Sequence, residues 1–395
     1  MMRGLLAILA CAVLSACAHT GGSGTLPALL TSRLASHPEA GGFESLYSFK
    51  GLPDASSPAA GMVALNGTLY GTAQVGGQGA AGAVFATSAG GRERVLYSFG
   101  SHGVDGVLPA AGLVVLSGKF YGTTTAGGTH GFGAVFSIDK SGTEHLLYSF
   151  AGGNDGAAPY AALIADGGVL YGTTDAGGGS TNCTQGCGTV FSVTTGGKER
   201  AVYRFKGGSD GVGPFANLTV VGSTLFGTTA AGGKNGTGTI FKTSKSGSEQ
   251  IIHSFGSGFD GSEPEAGLIN VGGKLYGTTN NGGKHFNGTA FVATTGGGEH
   301  VIYDFKGGKD GANPEAALVA VKSELYGTTA GGGTPNLGTI FSVSTSGKEH
   351  VLHAFQSTSE GSDPRAPLAV VNGVLYGTTS LGGASQMGTI FRVAP

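Results

Sequence analysis

Short apolar runs recur along the chain at a nearly fixed interval, and each is followed by a cluster of glycines. The clearest run is Leu-Tyr-Gly-Thr, whose aromatic position occurs seven times at intervals of 51, 50, 55, 50, 50 and 50 residues. The seven aromatic residues are Tyr70, Tyr121, Tyr171, Phe226, Tyr276, Tyr326 and Tyr376. Self-similarity at a fixed period indicates a repeat architecture, here of seven units of about 50 residues.

Each unit contains four strand-like runs, which the sixth unit shows at residues 317–321, 324–329, 338–344 and 349–355. A two-residue turn, Lys322-Ser323, separates the first two runs, and other units have Asn-Gly or Ser-Gly there, as two-residue hairpins require. The last run alternates polar and apolar residues, as a half-exposed strand does. Four short antiparallel strands in each unit predict the blade of a β-propeller.

The two ends of the repeat region predict how the ring closes. Residues 43–49 are a lone copy of the fourth run, and the sequence stops after a third run at residues 388–393. The seventh unit therefore lacks only its fourth strand. We expect an all-β, seven-bladed propeller with four-stranded blades, in which the N-terminal strand completes the last blade and covers its open edge.

The residues before the repeats have the pattern of a bacterial export signal. Met1-Met2-Arg3 gives a positive start, and residues 4–13 form an apolar stretch too short to span a bilayer. The Leu14-Ser15-Ala16-Cys17 that follows resembles the lipobox, in which a signal peptidase cuts before the cysteine and lipid is attached to it. The alternative is an ordinary secretory peptide that is cleaved nearby.

The lipobox defines the expected domain organisation. We predict a lipoprotein signal peptide at residues 1–16, a lipidated Cys17 with a flexible tether at 17–42, and the propeller at 43–395. The membrane is then a partner through the lipid anchor. In Gram-negative lipoproteins an Asp after the cysteine favours retention in the inner membrane, so Ala18 favours the outer membrane.

The cysteines Cys183 and Cys187 lie in the one interval of 55 residues. An exported protein meets an oxidising compartment, which favours a disulfide across this loop insertion. A zinc site is the alternative, but it would need two further ligands, and no histidine lies within ten residues of the pair.

The repeat unit resembles a known family. The order Leu-Tyr-Gly-Thr-Thr, Gly-Gly, Gly-Thr-Ile/Val-Phe and Tyr-Ser-Phe is similar to the GloVer (Gloeo-Verruco) tandem repeat of exported bacterial proteins, over residues 43–395. Three positions depart from the pattern: Ala73 replaces the second Thr, Phe226 replaces Tyr, and Glu360 replaces a loop Asp. The resemblance implies an exported protein with a surface anchor, and it implies no particular activity.

Composition and charge exclude two classes of protein. The chain holds 79 glycines, but a hydrophobic content of 39% argues against disorder. The formal net charge is −2 with no basic patch, so we expect no nucleic-acid partner.

Two acidic positions recur in nearly every unit. A loop of the form Gly-Gly-x-Asp-Gly-x-x-Pro precedes each first strand, and its acidic residues are Asp54, Asp105, Asp155, Asp210, Asp260, Asp310 and Glu360. The fourth strands begin with Glu93, Glu144, Glu199, Glu249, Glu299 and Glu349. Calcium or a ring of catalytic carboxylates is one explanation, but a functional site normally breaks the symmetry of the repeat. We therefore expect the Asp to accept backbone N–H groups in its own turn and the Glu to lie on a solvated outer edge.

The loops between the second and third strands differ from blade to blade. Because strands alternate in direction, these loops lie on the same face as the loops that lead into each first strand. Uniform positions serve the scaffold, and variable loop positions are where specificity can lie. The candidate ligand-binding residues are His130, Phe132, Lys234, Lys284, His285, Phe286 and Asn287.

The sequence favours a binding or scaffolding propeller without catalytic activity, anchored at the cell surface. We expect a monomer with a glycan or protein ligand, no catalytic residues, no metal and no cofactor. An envelope enzyme acting on polysaccharide is the alternative, for which Lys284, His285 and Asp310 are the best group of cation, base and acid. A quinone-dependent dehydrogenase would need a stacked aromatic floor, and the chain has no Trp. A purely structural envelope component is the third possibility.

Overall fold

Seven antiparallel sheets of four strands account for the seven repeats. The structure is a computed structural model that describes residues 42–101 and 103–395. The predicted signal peptide, Cys17 and all but the last residue of the predicted tether lie outside the described residues. No helix in the described part has the length and apolar character that crossing a membrane requires.

Within each blade the strands follow one another from an inner strand near the central channel to an outer strand. Blade one comprises Val63–Leu65, Thr68–Ala73, Ala83–Ser88 and Glu93–Ser98. Blade two comprises Val114–Leu116, Lys119–Thr124, Ala134–Ile138 and Glu144–Ser149. Blade three comprises Ile164–Asp166, Val169–Thr174, Thr189–Thr194 and Glu199–Arg204. Blade four comprises Thr219–Val221, Thr224–Thr229, Thr239–Ser244 and Glu249–Ser254. Blade five comprises Ile269–Val271, Lys274–Thr279, Thr289–Thr294 and Glu299–Asp304. Blade six comprises Val319–Val321, Glu324–Thr329, Thr339–Ser344 and Glu349–Ala354. Blade seven comprises Ala369–Val371, Val374–Thr379, Thr389–Val393 and Phe43–Ser48.

The composition of blade seven confirms the predicted closure of the ring. The N-terminal strand Phe43–Ser48 pairs antiparallel with Thr389–Val393, the last strand of the chain. Arg392 also donates to Glu44 across this pair, with Nη2 and Oε2 2.6 Å apart. The predicted seven-bladed, all-β propeller is confirmed.

An edge-to-face pair of phenylalanines joins each blade to the next. The residue that follows an outer strand packs on the third-strand phenylalanine of the next blade, as Phe99 does on Phe136 with ring centroids 5.0 Å apart. The seven pairs are Phe49–Phe85, Phe99–Phe136, Phe150–Phe191, Phe205–Phe241, Phe255–Phe291, Phe305–Phe341 and Phe355–Phe391. Such a pair contributes about 1 kcal/mol beyond its burial. The apolar core is therefore divided among the joints between blades.

The invariant Gly and Thr of the Leu-Tyr-Gly-Thr motif serve the same joints. A Cβ at Gly122 would lie 2.6 Å from Cζ of Phe136, so only glycine leaves room for the ring. The next residue, Thr123, donates its hydroxyl to the carbonyl of Ala161 in the following blade at 3.1 Å. Equivalent bonds occur at all seven joints, and Thr378 donates to Ala60 where the ring closes.

The loop aspartates accept hydrogen bonds inside their own turns, as predicted. Oδ2 of Asp155 accepts the backbone N–H of Ala151 and the hydroxyl of Tyr148, both at 2.8 Å. The same arrangement recurs in every loop, with His253 and His353 in place of the tyrosine in two of them. These carboxylates fix the loops that carry the chain from one blade to the next.

The expectation that the fourth-strand glutamates lie on a solvated edge is wrong. Each is half-buried against the tyrosine or histidine and the aspartate of the preceding blade, as Glu199 is against Tyr148 and Asp155. Burial first, and then the charge of the aspartate, raise the pKa of each glutamate to about 7. The strand pattern places these residues at an outer edge, and only the stacking of blades covers them.

We predict that loss of the closing strand destabilises the whole domain. A chain that begins at residue 50 lacks the strand Phe43–Ser48 and also Phe49, whose ring is fully buried. Removing one buried Phe side chain typically costs about 3–5 kcal/mol. We expect a fall in melting temperature on the order of 10 °C, in a single transition. A chain that begins at residue 42 is the control, and equal melting of the two would contradict closure by this strand.

We also predict that stability falls as pH rises from about 5 to 8. Because the glutamate pKa of about 7 lies above its ordinary value of 4.5, the folded state retains a proton that the unfolded state has released. In Glu249→Gln this proton is no longer needed, so the variant should match the wild type near pH 5 and melt at a higher temperature at pH 8. Thermal unfolding at both pH values checks this, and a difference that does not grow with pH would refute it.

Candidate functional site at the channel mouth

The predicted disulfide between Cys183 and Cys187 is confirmed. It lies in the loop between the second and third strands of blade three, and it accounts for the longer repeat interval. The side-chain amide of Asn182 donates to the carbonyl of Lys206 at 2.7 Å. The insertion is thereby held against the loop that leads out of blade three.

Two sets of loops lie on one face of the propeller, as predicted. One set is the variable loops between the second and third strands, and the other is the incoming loops, which lead into each first strand. In blade one the incoming residues Ala55–Ser56 pair with Val75–Gly76 of the loop between the second and third strands. In blade two Gly106–Val107 pair with Ala126–Gly127 in the same way. Single bridges repeat this contact in the other five blades.

The candidate loop residues are divided among blades two, four and five, and the structure does not gather them into one site. Lys284 and His285 lie over the outer strand of blade five, where Nδ1 of His285 is 3.1 Å from Oδ2 of Asp304. They line a cavity of about 550 Å³ at the rim. Within the same loop, the side chain of Phe286 is 75% exposed, and the carbonyl of Asn287 accepts the N–H of Asn313.

The other candidates occupy separate places. Phe132 packs over Gly152 and lines a second cavity of about 420 Å³ between blades two and three. His130 is exposed on the same loop, and Lys234 is exposed on blade four, where its backbone N–H donates to Ser254. Whether any of these residues binds a ligand stays a prediction.

One position in the incoming loops breaks the sevenfold symmetry completely. The residue after the loop proline is, in blade order, Ala59, Ala110, Tyr160, Phe215, Glu265, Glu315 and Arg365. The first six line a cavity of about 350 Å³ at the central channel. The next residue is Ala in every blade, and its carbonyl accepts the threonine bond of the joint. The scaffold therefore fixes the alanine and leaves the preceding residue free to vary.

These variable residues divide the channel mouth into sectors. On the aromatic side, the rings of Tyr160 and Phe215 lie with centroids 5.4 Å apart, and Tyr160 is 38% exposed. On the acidic side, Oε2 of Glu265 accepts the side-chain amide of Asn280 at 3.2 Å. Arg365 follows, with Nη1 3.3 Å from Oε2 of Glu315. The mouth thus has an aromatic sector in blades three and four and a hydrogen-bonded, charged sector in blades five to seven.

A second ring of residues, before the same prolines, extends the acidic side. Glu263 accepts the side-chain amide of Asn281 at 2.8 Å, and Asp363 accepts both Nε of Arg365 and the hydroxyl of Ser380. These contacts continue the polar network from blade five to blade seven, beside the glutamates of the channel.

The charges at the mouth are mainly negative. Asp175 lies near Phe215, since both would contact a Cβ placed on Gly213. Burial first, and the charge of Glu265 second, raise the pKa of Asp175 to about 6. Burial, and then the charge of Asp175, also raise the pKa of Tyr160. With Glu263, Glu315 and Asp363 the group comprises five carboxyl groups and the guanidinium of Arg365, which suits a cation that also offers an apolar face.

Sequence reasoning missed this site because the incoming loops look uniform. The repeated Asp, Gly and Pro dominate each loop, and the residues that flank the proline are among several positions that vary. An alignment of the seven units at that proline would have shown one position that holds Ala, Tyr, Phe, Glu and Arg within otherwise equivalent surroundings.

Comparison with solved structures supports the fold. A candidate 6-phosphogluconolactonase of Bacteroides uniformis is similar with a TM-score of 0.50 and 16% identity, over 78% of this chain and 88% of that chain. A europium-containing methanol dehydrogenase gives a TM-score of 0.47 and 12% identity, over 85% of this chain and 81% of that one. A luciferin-regenerating enzyme gives 0.43 and 13%, over 71% and 88%. At 16% identity the likeness to the first of these structures concerns the fold alone.

Comparison with curated protein sequences finds no match. The family model described as the Gloeobacter/Verrucomicrobia repeat matches residues 18–185, 181–307 and 243–395, three overlapping stretches that together cover every blade. The repeat motif, the seven equivalent joints and this match agree, and the chain belongs to the Gloeobacter/Verrucomicrobia repeat family.

Proposed function

We propose that this protein is a non-catalytic binding propeller that holds a cationic ligand with a flat apolar face at the channel mouth. The observation that carries the proposal is the order of residues at seven otherwise equivalent positions, with aromatic residues in blades three and four, carboxylates in five and six, and a guanidinium in seven. Random drift on a solvated surface does not require neighbouring blades to share a chemical type. An amino-sugar oligosaccharide offers both features, since its ring presents a C–H face and its amine a positive charge.

The forces at the mouth support a ligand of this class. Stacking of one ring against Tyr160 or Phe215 contributes about 1 kcal/mol. A charge-assisted hydrogen bond from an amine to Glu265 or Glu315 contributes about 1.5–3 kcal/mol. Neither contact alone gives useful affinity, so several must act together. The variable loops border the same face and can contact the rest of an oligosaccharide.

We predict that the purified protein binds a hexamer of glucosamine and not the hexamer of N-acetylglucosamine, in calorimetric titrations at pH 6. The two oligosaccharides share their sugar rings, and acetylation replaces each charged amine by a neutral acetamide group. Glu265→Gln and Glu315→Gln should each weaken binding at least tenfold, which corresponds to about 1.4 kcal/mol. Tyr160→Ala should weaken it by a similar factor.

The matched control is Glu324→Gln, which makes the same change on the second strand of blade six, next to the turn on the opposite face. This variant should bind as the wild type does. Equal binding of the charged and acetylated hexamers, or loss of binding in Glu324→Gln alone, would contradict a cation site at the mouth.

A hydrolase acting on polysaccharide is the second candidate, and one observation favours it. Burial, and then the charge of Glu265, raise the pKa of Asp175 to about 6, and glycoside hydrolases use a carboxyl group with a raised pKa as general acid beside a second carboxyl group. Shortened oligosaccharides in the titration mixtures, absent with Asp175→Asn, would favour this function over simple binding.

We further propose that the propeller is exported and anchored to the outer membrane through lipid on Cys17. The lipobox and the following Ala18 support this location, and the disulfide between Cys183 and Cys187 is what an oxidising compartment allows. A tethered propeller would present its loops to ligands in the envelope.

The anchor is tested by Cys17→Ser in a bacterial host. We expect the wild type in the membrane fraction with a lipid mass on its N-terminal peptide, and the variant unprocessed or soluble. Cys11→Ser changes a cysteine inside the predicted signal peptide and should leave lipidation intact. Mature wild-type protein without lipid, identified by mass spectrometry, would refute the anchor.

A further inference from the structure

The joint between blades four and five differs chemically from its neighbours. In most joints a tyrosine hydroxyl bonds the loop aspartate, and the residues at this position are Tyr47, Tyr97, Tyr148, Tyr203, His253, Tyr303 and His353. His253 therefore brings an imidazole to a place where an aspartate and a glutamate already meet. Imidazole and carboxylate are ligands of divalent transition metals.

The three side chains converge at one point. Nε2 of His253 lies 3.1 Å from Oδ2 of Asp260 and 4.0 Å from Oε2 of Glu299. One ligand atom from each of the three lies within 4.8 Å of the other two. Oδ1 of Asp260 accepts the backbone N–H of Gly256 at 2.9 Å, which fixes the carboxylate and leaves Oδ2 toward the histidine.

Glu299 differs from the equivalent glutamates in the hydrogen-bond partners of its carboxylate. Its side chain is 6% exposed, and Oε1 has no hydrogen-bond partner in the described part of the protein, as is also the case in the five other fourth-strand glutamates. At the five tyrosine joints the phenol also bonds the glutamate, whereas no such bond acts on Glu299. A buried carboxylate without that partner is costly unless a cation or a proton satisfies it.

We propose that His253, Asp260 and Glu299 bind one divalent first-row transition-metal ion, with Zn²⁺ as the ion to test. Bonds of about 2.1 Å to nitrogen and oxygen in tetrahedral geometry require ligand atoms about 3.4 Å apart. The His253–Asp260 distance of 3.1 Å is already close to this, and the His253–Glu299 distance of 4.0 Å must shorten by about 0.6 Å. Three protein ligands leave one coordination position open.

Two of the three proposed ligands line a cavity. Asp260 and Glu299 line the rim cavity of about 550 Å³ that also contains Lys284 and His285. A water molecule or a ligand atom can occupy the fourth position from there. The candidate loop of blade five would then be the wall of a metal-dependent binding site, separate from the channel mouth.

The closing joint provides a natural comparison. His353 pairs with Glu360, at 3.2 Å, but the strand position that holds glutamate elsewhere holds Phe43, whose ring stacks on His353 with centroids 3.8 Å apart. The third ligand is therefore missing at this joint. In the part of the chain that the structure describes, His253, Asp260 and Glu299 are the one group of three or more such ligands that converges.

The test is calorimetric titration of the purified, tag-free, metal-stripped protein with ZnCl₂. We expect one Zn²⁺ per chain. His253→Tyr restores the residue of the five other joints, so it should fold and lose at least a hundredfold in affinity. Glu299→Gln keeps the shape of the side chain and should lose at least tenfold. Melting temperatures of both variants show whether the fold is intact.

His353→Tyr is the matched control, since it makes the same substitution at the joint without a third ligand, and it should retain wild-type affinity. His285→Ala tests an exposed histidine that lines the same cavity, and it should also retain wild-type affinity. No saturable zinc binding by the wild type, unchanged affinity in folded His253→Tyr, or an equal loss in His353→Tyr or His285→Ala would overturn the proposal.

Discussion

The edge-to-face contact between phenylalanines of successive blades is the interaction on which the rest of the structure depends. Phe99 reaches Phe136 only because Gly122 has no Cβ, and Thr123 fixes the same joint by donating to Ala161 of the next blade. Since each blade contributes to two joints, the core is a closed chain of seven equivalent contacts. The ring is complete only when the N-terminal strand brings Phe49 to Phe85.

The need to preserve these contacts between blades limits which positions are available for function. Residues that serve a joint repeat in almost every blade, and a change at one of them disturbs two blades. The residue after each loop proline takes no part in the phenylalanine and threonine contacts that every joint shares, because the following alanine accepts the threonine bond through its backbone carbonyl. Evolution can therefore vary Tyr160, Glu265 and Arg365 without loss of the fold, and the channel mouth is built from such positions.

A similar argument applies to the contacts between the outer strands of neighbouring blades, where a tyrosine or histidine, an aspartate and a glutamate meet. The group of Tyr, Asp and Glu is a structural unit that positions the loop leading into the next blade, and the raised pKa of its half-buried glutamate predicts that the stability of the fold depends on pH. Replacement of a single tyrosine by His253 retains the shape of the joint and changes its chemistry. A structural unit of the repeat is thereby one substitution away from a metal-binding group.

The architecture was predictable because it depends on local pattern. The repeat period, the turn residues and the incomplete units at the two ends determine the number of blades and the closure, and the disulfide follows from its place in one insertion. The burial of Glu199 and the site around Glu265 were not predictable in this way. The first arises where one blade stacks on the next, and the second arises where seven blades meet at the axis. The residue pattern within one repeat unit does not indicate such contacts between blades.

The central claim is that specificity lies at the channel mouth, in the positions that the joints leave free. A crystal structure of the protein with a glucosamine hexamer tests it most directly. The account predicts one sugar ring stacked on Tyr160 or Phe215, with its amine within hydrogen-bond distance of Glu265 or Glu315. A hexamer bound only at the rim, over the loops of Phe132 or Phe286, with an empty channel mouth, would contradict it.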